Sequence, residues 1–102
     1  MPHLVQILLP VYDNEGGSIP SEHYQQVRAQ LLDRFGGLTA YTRAPAEGRW
    51  ESGSAVKHDD IVVVEVMIES LDRSWWHAYR RELEKLFRQE HIVIRTQAYE
   101  AL

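Results

Sequence analysis

The chain contains no cysteine. That absence removes disulfide bonds and thiol nucleophiles, together with the thiolate ligands that structural zinc sites favour. No apolar run approaches the ~20 residues needed to cross a bilayer, so no membrane partner is expected. Basic charge is scarce as well: eleven Lys and Arg stand against fifteen Asp and Glu, a net charge of -4. Binding a phosphate backbone calls for a basic face. The densest basic stretch, Arg73 to Arg88, is instead interleaved with Glu82 and Glu84. Glu84 precedes Arg88 by one helical turn, the spacing of a solvated helix face. Nucleic acid is therefore not expected as a partner. The leading Met1-Pro2-His3-Leu4 has neither a basic n-region nor a small-residue cleavage site, so the expected location is cytoplasmic. There is no Ser–His–Asp order, no glycine-rich phosphate loop and no carboxylate pair at helical spacing in a usable context. No catalytic residue is assigned on this basis, and no cofactor is expected.

What is present describes one small domain spanning 1–102. An apolar fraction of 44% and a charged fraction of 25% match an ordinary globular protein. His3 to Tyr12 reads as a strand, with Val5, Ile7, Leu9 and Val11 alternating on one face and Leu4, Gln6 and Leu8 on the other. Asp13-Asn14-Glu15-Gly16-Gly17 breaks that run with turn chemistry. Ser21, or alternatively Ser18, is the expected cap of a first helix carrying Tyr24, Val27, Leu31, Leu32 and Phe35 as its apolar stripe. Gly36-Gly37 closes that helix, because glycine accepts the left-handed conformation past a C-cap. Leu38 to Ala44 is a second strand, stopped by Pro45. After an irregular stretch from Ala46 to Asp60, Ile61 to Ser70 forms the most apolar strand, of the kind buried on both faces. Asp72 or Ser70 caps a second helix that reaches to about Glu90, with Trp76, Tyr79, Leu83, Leu86 and Phe87 facing inward. His91 to Tyr99 is the fourth strand.

The order strand–helix–strand–strand–helix–strand predicts an α+β fold of ferredoxin-like βαββαβ type. Its four-stranded antiparallel sheet takes the order 4-1-3-2, with two helices on one face. The other face should alternate apolar and polar residues if water covers it. Strand 3 instead places Ile61, Val63 and Met67 opposite Val62, Val64, Val66 and Ile68. Such a face is an association or ligand surface, and a homodimer formed through this open sheet face is the expectation.

Candidate chemistry is sparse. Glu65 interrupts a central strand, where a buried carboxylate would serve as a general base or pair with Arg43 or Arg95 across the sheet. His58-Asp59-Asp60 resembles a set of metal ligands. With strands 1 and 3 expected to run parallel, His3 falls at the same sheet end. No His-x-x-x-His pair accompanies them and the plainer reading is a polar loop, so His3, His58 and Asp60 remain candidates and no metal is assigned. Trp75 and Trp76 are adjacent, about 100° apart on a helix, so Trp76 belongs to the core stripe and Trp75 to its edge. His77 follows near the helix start. Tyr41, Arg43, Arg49 and Trp50 combine arginine forks with aromatic neighbours, suited to a small aromatic or anionic ligand.

Phe35-Gly36-Gly37-Leu38-Thr39-Ala40-Tyr41, Gly48-Arg49-Trp50, Asp59-Asp60 before the valine strand, and Tyr79-Arg80 to Phe87-Arg88-Gln89-Glu90 together resemble a family of small uncharacterised bacterial proteins. The resemblance covers most of the chain and implies a dimeric α+β barrel-type fold and a bacterial origin. The wider class of such barrels includes heme-degrading and quinol-type monooxygenases, muconolactone isomerases and stress-response proteins. Three functions follow as expectations. The first is a homodimeric small-ligand-binding or interaction module. The second is a small cofactor-free enzyme of monooxygenase- or isomerase-like type, and the third a subunit of a larger assembly.

Overall fold

A computed structural model describes residues 1–36, 40–46 and 59–102, with 40–46, 59 and 60 described by backbone alone. The elements run β1 (His3–Pro10), α1 (Ser21–Phe35), β2 (Ala40–Ala46), β3 (Asp59–Ile68), α2 (Arg73–Leu86) and β4 (Val93–Ala98). Among the described residues the chain is thus an α+β protein of two helices and an antiparallel sheet, consistent with a ferredoxin-like fold. β3, β1 and β4 form the part of the sheet whose side chains are described. The backbone of β2 pairs along the outer side of β3, in the order β2-β3-β1-β4. No helix among the described residues is long and apolar enough to cross a membrane.

Register explains the core. Residues directly opposite in an antiparallel pair share a sheet face. Val5 faces Val66, Ile7 faces Val64 and Leu9 faces Val62, and all six are buried. Val27 and Leu31 of α1 and Trp76, Tyr79 and Leu83 of α2 close over that face, with Phe87 and Ile92 beyond the end of α2. No charged or polar residue is buried among those described. Phe87 is fully enclosed, edge-on to Tyr24 at 5.3 Å between ring centroids. The Tyr24 hydroxyl donates to the Pro10 carbonyl at 2.6 Å, tying α1 to the end of β1.

Several expectations need correction. β1 and β3 are antiparallel, not parallel. A helical crossover returns β2 parallel to β1, and β3, which runs back against β2, must then oppose both. Ser21 does not cap α1: the helix begins on it, the N-cap is Pro20, and no side chain caps that end. Leu32 drops out of the stripe, 40% exposed. The second helix stops at Leu86 because Arg88 turns left-handed (φ 53°), a conformation costing an L residue about 1–2 kcal/mol. Other expectations match the structure. Asp72 caps α2, accepting the Trp75 amide at 3.1 Å. Gly36 ends α1 with φ 76°, its amide bonded to the Leu32 carbonyl.

The turn between β1 and α1 is built on Asp13, whose Oδ1 accepts the amides of Glu15 at 2.9 Å and Gly17 at 2.8 Å. Gly16 supplies the positive φ of 83° within it. Those two amides hold the Asp13 carboxyl below the usual carboxylate range, with a smaller contribution from the Arg88 charge. A carboxyl whose folded value is depressed contributes stability that is fully present above its unfolded value and disappears as pH falls through the folded one. The Gly17 amide resonance should therefore titrate with a midpoint below that of an unstructured aspartate, and Asp13→Asn should flatten the response. A Gly17 amide with an ordinary aspartate midpoint would contradict the turn geometry.

Candidate functional site

The face of the sheet away from the helices carries Leu4, Gln6 and Leu8 from β1, and Ile61, Val63, Glu65 and Met67 from β3. Val93, Arg95 and Gln97 from β4 complete it. Within one chain this face is half-covered and not buried. Met67 is 51% exposed and Val93 41%, while Leu4, Leu8, Ile61 and Val63 are intermediate. β3 is therefore buried on one face only, which corrects the expectation drawn from its near-continuous apolar run.

A polar row crosses the middle of this surface. Gln6 lies opposite Glu65 on one side and Arg95 on the other. Gln6 Nε2 donates to Glu65 Oε2 at 3.1 Å, and Arg95 Nε donates to Gln6 Oε1 at 2.7 Å. A glutamine amide carries its donor and acceptor on separate atoms, so it joins a cation to a carboxylate that cannot reach one another. Glu65 and Arg95 thus do not pair directly across the sheet; Gln6 stands between them. Arg43 is not in this row: its register position is opposite Val62, whereas Glu65 stands opposite Ala40. Tyr41 falls opposite Val64 in the same β2 register.

Arg49, Trp50 and His58 lie outside the described residues. Asp60 begins β3, paired with Pro45, and His3 pairs with Ile68 at the other end of that strand. The antiparallel run thus separates His3 from Asp60 by roughly 26 Å of extended chain. The juxtaposition of metal candidates expected from parallel strands is lost, and no cluster of metal ligands occurs among the described residues.

Trp75 is partly buried in an aromatic cluster. It meets Trp76 edge-on at 4.7 Å and stacks on Tyr79 at 4.8 Å, while Phe35 stacks on Trp76 at 5.3 Å. The Arg34 guanidinium covers Trp75 at 4.3 Å and lies 4.0 Å from Asp72. The Tyr79 hydroxyl donates to Gln30 Oε1 at 2.9 Å, and burial, reinforced by the Glu82 charge, pushes its pKa well above that of a free phenol. Trp75 therefore serves as packing between α1 and α2, and Tyr79 is held neutral. His77 is exposed, at the rim of a cavity between α2 and β4 that Arg73, Arg80 and Arg95 also line. Gln6 and this arginine group were not singled out from the sequence. The spacing of Arg73, Trp76, His77 and Arg80, one helical face, was the available signal.

No protein-family model matches the chain, and no curated protein matches it. Among solved structures it is similar to a phage SAM lyase determined in complex with S-methyl-5'-thioadenosine, with a TM-score of 0.59. That likeness covers 94% of this chain and 80% of the other at 16% sequence identity, which speaks for the fold alone.

The polar row can be tested by a double-mutant cycle of Gln6→Ala and Glu65→Ala followed by urea unfolding. For a half-exposed, charge-assisted bond the coupling should be about 0.5–1 kcal/mol. A coupling of zero would mean that the row does not form in solution.

Proposed function

We propose that this chain binds a small adenosine thioether or sulfonium on its open sheet face, as a homodimer packed face to face. The observation that carries this reading is the fold likeness, over nearly the whole chain, to a SAM lyase solved with S-methyl-5'-thioadenosine. The composition of the face supports it. Glu65, held by Gln6 on a half-covered surface, offers a negative charge to a sulfonium. At 4 Å and an effective dielectric of 20 such an attraction amounts to about 4 kcal/mol before desolvation. Leu4, Leu8, Val63 and Met67 on the same face suit a planar purine or an aliphatic stem. A second copy of the chain would bury the exposed Met67 and Val93 and exclude water from the ligand.

Glu65 also favours a second reading, in which the bound sulfonium is cleaved. A carboxylate base there would take a proton from the carbon adjacent to the C–S carbon. The C–H electrons would form a new double bond, the C–S bond would break with its pair moving to sulfur, and a neutral thioether would leave. No redox partner is required.

Two measurements test these readings. In calorimetric titrations both S-adenosylmethionine and S-methyl-5'-thioadenosine should bind. Glu65→Gln should weaken the charged sulfonium by about tenfold or more while changing the neutral thioether little. Failure of both ligands to bind would overturn the ligand assignment; binding without release of the thioether from the sulfonium would leave binding and remove cleavage. Light scattering at tens of micromolar should give twice the 11.9 kDa chain mass, and Met67→Glu should shift it toward the monomer. A wild-type monomer at that concentration would refute the dimer.

A further inference from the structure

The arginines around the α2–β4 cavity serve no purpose in the reading above, and their arrangement has its own chemistry. Arg73, Trp76, His77 and Arg80 lie at successive turns of α2 and form one face of it, while Thr96 enters from β4 with Arg95 beside it at the strand edge. The cavity measures about 130 Å³, and its floor is apolar, including Val5 and Trp76, both buried. Two guanidinium groups, those of Arg73 and Arg80, and the His77 imidazole thus border one small space, which Arg95 meets only at the strand edge because its side chain is turned to the open face; no carboxylate lines it among the described residues.

An ordinary solvated basic face would scatter such groups into water, each free to move. Here one of them is constrained. Arg80 Nε is buried and has no hydrogen-bond acceptor. Its nearest carboxylate oxygen, Glu84 Oε2, lies at 3.9 Å, beyond hydrogen-bond reach. That oxygen already accepts the Ile92 amide at 2.9 Å and stands 3.6 Å from His91 Nδ1. A buried N–H donor without an acceptor is unfavourable, and like charges converging on an apolar floor add to the cost. An oxyanion in the cavity relieves the second of these terms.

From this geometry we infer that the α2–β4 cavity is a binding site for a small oxyanion, a phosphate or short-chain carboxylate, held by Arg80 and Arg73. Planar guanidinium forks match the spacing of two oxygens on either group. Thr96 at the strand edge brings a hydroxyl to the same space. Trp76 and Val5 below accept a short apolar stem. The size is suitable, since a cavity of about 150 Å³ accommodates a guest as large as benzene. This site lies on the helix side of the sheet, across β1 and β4 from Glu65.

The test is a ¹H–¹⁵N NMR titration of the full chain with inorganic phosphate and, separately, with propionate. Ionic strength is held constant with sodium chloride. Saturable shifts are expected at the Arg80 Nε–H, the Trp76 amide and the Thr96 amide. Which of the two anions saturates identifies the headgroup. Arg80→Gln should weaken the interaction by about tenfold or more. Because Arg80 also borders Glu84, Arg73→Gln provides a second variant on an exposed residue, and it should weaken binding in the same direction with the fold intact. Shifts that grow linearly with concentration, spread over all basic residues or persist unchanged in both variants would overturn the assignment. Neither anion carries adenosine, so this outcome is independent of the ligand proposed for the open face.

Discussion

Antiparallel pairing of β1 on both its edges is the constraint on which the rest of this molecule depends. With β3 on one side and β4 on the other, Val5, Ile7 and Leu9 meet Val66, Val64 and Val62 on the helix face. Gln6 is at the same time brought between Glu65 and Arg95 on the opposite face. A slip of one residue would exchange the two faces of a strand entirely. It would bury Gln6 beneath the helices and turn the valine pairs outward. The same register therefore places both the core and the polar row, and neither can be altered without the other.

The two faces differ in how they meet their polar groups. Under the helices the solution is exclusion: among the described residues the core holds only apolar side chains and the phenol of Tyr79, whose hydroxyl reaches Gln30 at the surface. On the open face the solution is a chain of compensation, in which the neutral amide of Gln6 accepts from Arg95 and donates to Glu65. Arg95 stands where this open face meets the edge of the α2–β4 cavity.

Much of the architecture was legible in the residues, for reasons particular to each. Val5, Ile7 and Leu9 alternate with period two, and Val27, Leu31, Trp76, Tyr79 and Leu83 recur at helical spacing. These patterns report burial directly, because one face of each element must leave water. Asp72 and Gly36 act locally, through an amide within reach and a permissive φ, and could be read in the same way. Other features depend on distant partners. Which residue faces Glu65 is a matter of register between strands far apart in sequence, so neither Gln6 as the intermediary nor the exclusion of Arg43 from the row could be read locally. The separation of His3 from Asp60 likewise follows from strand direction, which the elements taken singly do not state. Ser21 illustrates a different failure. Its side chain is of the right type, but Pro20 before it occupies the cap position and the helix begins one residue early.

The sheet order also has a consequence for how the protein comes into being. β1 is made before its neighbours, yet it pairs with β3 and with β4, so its two edges wait for segments separated from it by most of the chain. Contacts of such long sequence range make folding slow relative to helical proteins of the same size. During synthesis Val5, Ile7 and Leu9 stay without their cross-strand partners until β3 has emerged, and a strand in that condition is prone to association with other chains. Shielding of the nascent β1, by the ribosome surface or by a chaperone, is thus a demand that this topology places on the cell making it.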